Sequence, residues 1–465
     1  MLNHRKLHPG ELASLFKKLT RCKAPDKIET YESEGESPVR AVAEYEEMGG
    51  VLIAYPGTET TSQVQLPPSG ARTFGIPNDL IVRMQQVNNG DREPVHIFIL
   101  CADFSQRSEV IADLRATAEA EELDFDPNLI HFVLWDTDSY WTRDYGPWWV
   151  KNETTGYFGI AKHLYTSLGG GSVGLVQGSE DVFLEGGGGI FRPNDDYAAT
   201  KFSDYLNVPI RAWNEARWGR QKLAPIKDHN WYNTGLLNVG GNYMSTSNNV
   251  VASSYLVATQ NELPVDDQRE NEDNPSSSTI EDRMKYILGQ FNRFMGTTKY
   301  HVITDPSGTY IGHIDCWAKF LADDKIIIAE SPNRKINDAY DDIADFFEEQ
   351  GFHVTRVFCP NILIGRSTTG LYDIEPTTAP YTNSLILNNY VYVPIVGGDH
   401  AEDDENALEA YRGALGSDYT VVGIIGKPEL PWLGTDALHC RTRSVPREIV
   451  DNWLKSLTQR VVPKR

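Results

Sequence analysis

Cysteine is scarce in this 465-residue chain: Cys22, Cys101, Cys316, Cys359 and Cys440 are the whole complement, odd in number and widely spaced. No C-x-x-C pair occurs, so neither a disulfide framework nor a zinc site is indicated. Positive charge is also short. Lys and Arg total 43 against 65 Asp and Glu, a formal net charge of −22, whereas nucleic-acid binding needs clustered cations. No run approaches the roughly 18 apolar residues of a spanning helix, and the charged N-terminal stretch lacks the apolar core of a secretory signal. The expectation is therefore a soluble protein with no nucleic-acid or membrane partner. H-E-x-x-H, EF-hand and G-x-S-x-G motifs are missing, which removes zincin, calcium-hand and α/β-hydrolase readings. Gly186–Gly189 lacks the Lys-Ser/Thr that completes a phosphate loop.

What is present is enough for a substantial core, with 40% apolar and 11% aromatic residues. Residues 1–45 are polar, with a short amphipathic piece at Glu11–Leu19, and read as an N-terminal extension; residues 46–465 read as one catalytic α/β domain. Apolar spacing predicts strands at Gly50–Tyr55, Pro94–Cys101, His131–Trp135, Gly235–Val239, Asn249–Ala258, Lys299–Thr304, Val354–Cys359 and Tyr419–Ile425. It predicts helices at Pro77–Val87, Ser108–Glu122, Tyr197–Leu206, Thr279–Phe291, Asn337–Gln350, Ala401–Leu415 and Arg447–Leu457. Hairpins are expected at His313–Leu321 with Lys325–Ala329, and at Asn383–Leu387 with Tyr390–Val396, the latter turning at Asn388-Asn389. Strand pairs alternating with helices suggest a repeated unit of mixed sheet and covering helix rather than one doubly wound sheet. The Gly-rich Ser167–Gly189 and acidic Asn261–Ser278 stretches interrupt this rhythm and read as surface loops.

Four segments carry residues suited to chemistry. Pro431-Trp-Leu-Gly-Thr-Asp-Ala-Leu-His-Cys440-Arg-Thr offers a thiol, although free cysteines are usually buried as small hydrophobes. In Tyr310-Ile-Gly-His313-Ile-Asp315-Cys316, strand alternation would place His313 and Asp315 on one face and Cys316 in the core. Isolated, such a pair is more often a solvated strand face. In Tyr140-Trp-Thr-Arg-Asp144-Tyr-Gly-Pro147 an acid sits among aromatics, where it needs a cation: either Arg143 or a substrate. Asn383, in Pro-Tyr-Thr-Asn-Ser, and Gly240-Gly241-Asn242 are compatible with simple turns. One thiol, one base and two acids suit attack on a flat, cationic carbon centre.

Taken together and in order, Tyr-Trp-Thr-Arg-Asp144-Tyr-Gly-Pro-Trp, Gly-Gly-Asn-Tyr-Met244, His313-Ile-Asp-Cys-Trp, Pro-Tyr-Thr-Asn383-Ser-Leu-Ile-Leu-Asn-Asn and Leu-His-Cys440-Arg-Thr resemble the Porphyromonas-type peptidylarginine deiminases, within the guanidine-modifying superfamily that contains agmatine deiminase. The likeness runs from about Gly49 to Ser444. It implies a five-bladed pseudo-symmetric α/β propeller (the pentein fold) and metal-independent, calcium-independent hydrolysis of the arginine guanidinium to citrulline and ammonia, without a cofactor. The matching positions imply Cys440 as nucleophile, His313 as general acid and base, Asp144 and Asp315 as guanidinium ligands, Asn383 as a supporting residue, and Trp141, Tyr310, Ile311 and Thr435 as lining. Secreted relatives hold a terminal arginine carboxylate with arginines after the first acid. Here Arg192 is the candidate and a second arginine nearby is missing, which favours internal peptidylarginine. The expected partner is an arginine-containing peptide or protein. An agmatine deiminase giving N-carbamoylputrescine and an inactive arginine-binding module are the alternatives. The resembled family suggests an extracellular site and the missing signal a cytoplasmic one; oligomeric state is open.

Overall fold

The computed structural model describes residues 28–33, 35, 37–55, 74–87, 93–165, 193–207, 232–261, 280–307, 312–362, 377–426, 432 and 436–460. Among these, five sheets of three or four strands and one two-stranded ribbon are found. Four of the sheets follow the same rule: an antiparallel pair, a helix, then a strand parallel to the second member. Ala318–Ala322 and Lys325–Glu330 pair antiparallel, helix Arg334–Glu349 crosses over, and His353–Phe358 runs parallel. Leu385–Leu387, Tyr390–Ile395, helix Ala401–Leu415 and Thr420–Ile425 repeat it. So do Met244–Ser245, Val250–Ser254, helix Ile280–Met295 and Lys299–Ile303, and Trp148–Asn152, Phe158–Leu164, helix Pro193–Leu206 and Tyr232–Leu237.

The fifth sheet joins the two ends of the described chain. Met48–Tyr55 lies between Arg443–Pro446, antiparallel, and His96–Cys101, parallel, with Ile130–Leu134 beyond. Helices Asn78–Gln85 and Arg107–Ala120 connect these parallel strands. Met48–Tyr55 and His96–Cys101 are almost wholly apolar and buried on both faces, as central parallel strands require. In Arg334–Glu349, Tyr340, Ile343, Ala344 and Phe347 recur at helical spacing and are the buried face, while Asn333 caps the first turn through the Lys335 and Ile336 amides. Burial of each large side chain there contributes roughly 1.5–3 kcal/mol. Asn388 takes φ +57° to close the tight hairpin at the predicted turn.

Three expectations need correction. The segment before residue 46 is not wholly an extension. Ile28–Glu32 pairs antiparallel with Lys299–Ile303, and Val39–Ala41 with Trp148–Asn152. Both are short, half-polar edge strands whose alternation is too brief to stand out in sequence. Glu11–Leu19 and the loops at Ser167–Gly189 and Asn261–Ser278 lie outside the described residues, except for Asn261. Second, the predicted strand at His313 starts late. Ile314–Cys316 is a 3₁₀ turn and the strand begins at Ala318, so His313 and Asp315 are not related by strand alternation. Similarly Asn249–Ala258 is a shorter strand followed by helix Leu256–Gln260. No helix among the described residues is long and apolar enough to cross a membrane.

Four histidines sit in the sheets as neutral side chains. Burial pulls His96, His131 and His301 down to about 4, from 6.5, and His163 to about 3; neighbouring Arg447, His96, Lys299 and Lys162, respectively, add to the effect. His96 and His131 face each other at 2.7 Å, so only one ring can donate. Because the unfolded chain binds these protons first, stability is complete above the ordinary histidine pKa and falls as pH drops from about 6.5 toward 4. Each group contributes up to about 1.4 kcal/mol per pH unit in that window. Thermal unfolding should shift to clearly lower temperature between pH 7.5 and 5; an unchanged midpoint would contradict the assignment.

Candidate active site

In all five units the residue of interest lies in the turn that leads into the first strand of the antiparallel pair. Asp144 closes the short helix Thr142–Tyr145 before Trp148–Asn152. Gly241 is in the 3₁₀ turn Gly240–Asn242 before Met244–Ser245. Asp315 is in Ile314–Cys316 before Ala318–Ala322. Asn383 ends a turn closed by its amide on the Pro380 carbonyl, before Leu385–Leu387. Cys440 precedes Arg443–Pro446. The same position in each unit thus carries Asp144, Gly241, Asp315, Asn383 or Cys440.

Their meeting point can be located from Gly241. A methyl group built on its Cα would stand 2.6 Å from His313 Nδ1, 2.9 Å from Asp144 Oδ1 and 3.0 Å from Asp315 Oδ2. The Gly241 amide donates to Asp144 Oδ1 at 3.1 Å. Gly240 is equally constrained, since a side chain there would run into the Arg143 carbonyl. Cys440 joins the group through sulfur: its thiol is 3.5 Å from Asp315 Oδ2, and Asn383 Nδ2 donates to Sγ at 3.1 Å. Asn383 Oδ1 in turn accepts from the Ala437 and Cys440 amides, at 3.0 and 3.2 Å. Its amide side chain thus holds both the sulfur and the backbone of the cysteine turn. His313 Nδ1 is 3.8 Å from Asp144 Oδ1, with no hydrogen-bond partner for that nitrogen among the described residues.

The carboxylates dominate the electrostatics of the site. Burial first, then the charges of Asp315, Asp436 and Asp144, push the Cys440 thiol well above its usual range. Burial also opposes ionisation of Asp315, but a hydrogen bond from His439 and the charges of His439, His313 and Lys319 outweigh it and hold the carboxyl below its ordinary value.

Beside these residues lies a second buried cluster. His439 Nδ1 donates to Asp315 Oδ2 at 2.7 Å, and its Nε2 lies 2.8 Å from Glu44 Oε2. Glu44 also accepts from Arg143 Nη2 and Lys319 Nζ, both at 3.1 Å. Arg143 is therefore the partner of Glu44, and Asp144 is left facing Gly241 and His313. Burial opposes the charge on Glu44, yet Arg143, His439 and Lys319 hold it well below the carboxylate range. Glu44 was invisible in the sequence, one acid of the Glu-Tyr-Glu-Glu run in a segment that reads as polar extension. His439 had a signal, its place directly before Cys440, and Lys319 had none.

Trp141, half-buried, donates from Nε1 to Asp436 Oδ2 at 2.9 Å. Asp436 is held in bidentate fashion by buried Arg441, at 3.0 and 2.9 Å, whose guanidinium lies 5.1 Å from the Tyr140 ring centre and 5.2 Å from that of Trp432. This clamp ties the Trp141 segment to the cysteine turn. Cys316 is buried in the core, as expected. Arg192, Tyr310, Ile311 and Thr435 lie outside the described residues.

A thiol, an imidazole, an amide and two carboxylates gathered at the turns of five strand-and-helix units define a cysteine-containing mixed α/β protein. Comparison with solved structures places the fold. The chain is similar to agmatine deiminase of Enterococcus faecalis, at 19% identity over 89% of this chain and 99% of the other, with a TM-score of 0.57. It is similar to agmatine deiminase of C. jejuni, at 13% identity, 89% and 98% coverage and a TM-score of 0.55, and to a putative arginine deiminase from Porphyromonas gingivalis, at 15% identity, 88% and 98% coverage and a TM-score of 0.53. Residues 196–446, more than half of the chain, match the sequence model of the Porphyromonas-type peptidyl-arginine deiminase family. The chain belongs to that family of guanidino-modifying deiminases.

Proposed function

We propose that this protein is a protein-arginine deiminase that converts peptidyl-arginine to peptidyl-citrulline and ammonia, with the five repeated units forming the blades of a pseudo-fivefold propeller around the site. The observation that carries the reading is the convergence of His313, Asp144 and Asp315 around the Gly241 position, with the Cys440 sulfur on Asp315. A guanidinium is charged at any ordinary pH and planar, so two carboxylates can fix its plane and localise its charge. Asp144 and Asp315 have this role, and Trp141 flanks the alkyl stem.

The bound cation offsets the same acids that hold the Cys440 thiol protonated, so ionisation of the nucleophile is coupled to substrate binding. The thiolate then attacks the guanidinium carbon and forms a C–S bond. One C–N bond breaks, and ammonia departs with a proton from His313. Water, giving a proton to His313, adds to the resulting S-alkylthiouronium carbon. The C–S bond breaks, which restores the sulfur and releases the ureido product. Asn383 steadies the sulfur through both steps.

Arginine in a peptide is favoured by the family assignment, and agmatine by the E. faecalis and C. jejuni structures that share the fold. Ammonia release from a blocked arginine peptide, compared with agmatine at equal concentration, separates them. The peptide should be the better substrate by kcat/KM; turnover of agmatine alone would replace this proposal with the small-molecule reading.

A further inference from the structure

Glu44 and His439 do not reach the point where Asp144, Asp315 and His313 meet, yet they terminate on one of its acids. We infer that Glu44 and His439 form a positioning relay that presents Asp315 to the reaction, with Glu44 holding the ring so that its Nδ1–H stays on Asp315 Oδ2. This rests on the assignment of Cys440 and Asp315 above and deepens it.

The argument starts from hydrogen-bond capacity. Both ring nitrogens of His439 face carboxylate oxygens, Asp315 Oδ2 at 2.7 Å and Glu44 Oε2 at 2.8 Å. Ionised carboxylates only accept, so both contacts are satisfied when the ring carries two protons; burial and the charges of Arg143 and Lys319 pull the ring below its ordinary value, and it is Glu44 and the hydrogen bond to Asp315 that favour the second proton. The alternative, a neutral ring, leaves one carboxylate oxygen against a bare nitrogen lone pair in a buried place, which is costly. The surroundings limit the choices further. Glu44 is fixed by Arg143 and Lys319 on its other lone pairs, and Arg143 Nε also holds the His439 carbonyl at 3.2 Å. Arg443 adds a cation on the Glu44 side, while Asp315 faces the Cys440 thiol and the neighbouring Cys316. The cluster therefore runs as a hydrogen-bonded chain of acid, imidazole and acid from the Arg143 and Lys319 cations to the Cys440 sulfur. A cleft is lined in part by Glu44, Arg143, Asp315, Lys319, His439 and Arg443.

The consequence for the reaction is local. With the relay intact, Asp315 keeps one oxygen hydrogen-bonded and part of its charge compensated, so it repels the Cys440 thiolate less and cannot rotate. Removing the Glu44 charge removes the reason for the second ring proton. Asp315 then faces a neutral imidazole free to turn over, and its uncompensated charge acts on the sulfur.

Three proteins test this: wild type, Glu44→Gln and Glu44→Asp. The first readout is the pH dependence of Cys440 alkylation by iodoacetamide, measured on the Cys440 peptide by mass spectrometry; the second is the pH profile of kcat and KM for the better substrate. Glu44→Gln should move the alkylation profile toward higher pH by about one unit and lower kcat by about 10- to 100-fold, in the range found for supporting residues one step from a reacting group. KM should change by less than about threefold, because both acids that hold the cation remain. Glu44→Asp, which keeps the charge, should restore most of kcat and the wild-type profile. A Glu44→Gln protein with wild-type profiles, whose only change is a lower unfolding temperature, overturns the relay. Wild-type Cys440 that resists alkylation at all pH values while activity persists overturns the nucleophile assignment instead.

Discussion

Cys440→Ser will bind a cationic substrate and fail to turn it over, with citrulline or ammonia release down by about 10⁴-fold or more. Serine keeps the size and the hydrogen bond from Asn383 Nδ2, which reaches the wild-type sulfur at 3.1 Å, so the turn that carries the residue should keep its shape. What changes is acidity and nucleophilicity. A thiol beside Asp315, Asp436 and Asp144 is already hard to ionise, and only the arriving cation makes the thiolate accessible. A hydroxyl starts several pH units further from ionisation, beyond what one guanidinium can offset. Substrate affinity should survive, because Asp144 and Asp315 are untouched. Equilibrium binding of the unreacted peptide, followed alongside product release, distinguishes the two effects. Residual turnover above about one per cent of wild type would mean that another group is the nucleophile.

Gly241→Ala is the second large effect, and it comes from space rather than from chemistry. Its methyl would stand 2.6 Å from His313 Nδ1, 2.9 Å from Asp144 Oδ1 and 3.0 Å from Asp315 Oδ2, closer than unbonded atoms tolerate. The backbone cannot yield easily. The Gly241 amide is committed to Asp144 Oδ1, and Gly240 is wedged against the Arg143 carbonyl. The side chains must therefore give way, and they are the groups proposed above to hold and process the substrate. Loss of kcat/KM by about 10³-fold is expected, since displacements near 1 Å cost on the order of 10²-fold and three groups move together. Folding should suffer much less, because the site is built from polar groups and the sheets behind it are unaffected. Circular dichroism and unfolding temperature close to wild type, with activity lost, would establish that combination. An active Gly241→Ala enzyme would mean that the three groups do not meet at this point when substrate binds.

Much of the architecture was legible beforehand because the helices and strands carry it in their spacing. Ala401–Leu415 was read to the residue, and the hairpin turn at Asn388-Asn389 followed from its pair of asparagines. Boundaries slipped where the chain changes state without a breaker, as at Asn249–Ala258, where a strand passes into a helix within one buried run. At His313-Ile-Asp315 the slip had more consequence. Apolar and polar residues alternate there as in a strand, but a 3₁₀ turn places both polar side chains toward Gly241. The motif residues Asp144, His313, Asp315, Asn383 and Cys440 were singled out by the joint resemblance of their segments to the deiminase family, and they do lie together. The edge strands before residue 46 and the role of Glu44 were not legible, because short polar strands and a single acid in an acidic run carry no local signature.

By itself the sequence determined the alternation of strand pair, helix and strand, which follows from periodicity within short windows, while the ordered motifs that resemble the deiminase family picked out the thiol, imidazole and carboxylates. Only the tertiary structure decided which groups share a charge: that Arg143 belongs to Glu44 rather than to the adjacent Asp144, and that His439 spans Glu44 and Asp315. Pairing between residues hundreds of positions apart depends on where five separate turns come to rest, and no local pattern along the chain encodes that distance.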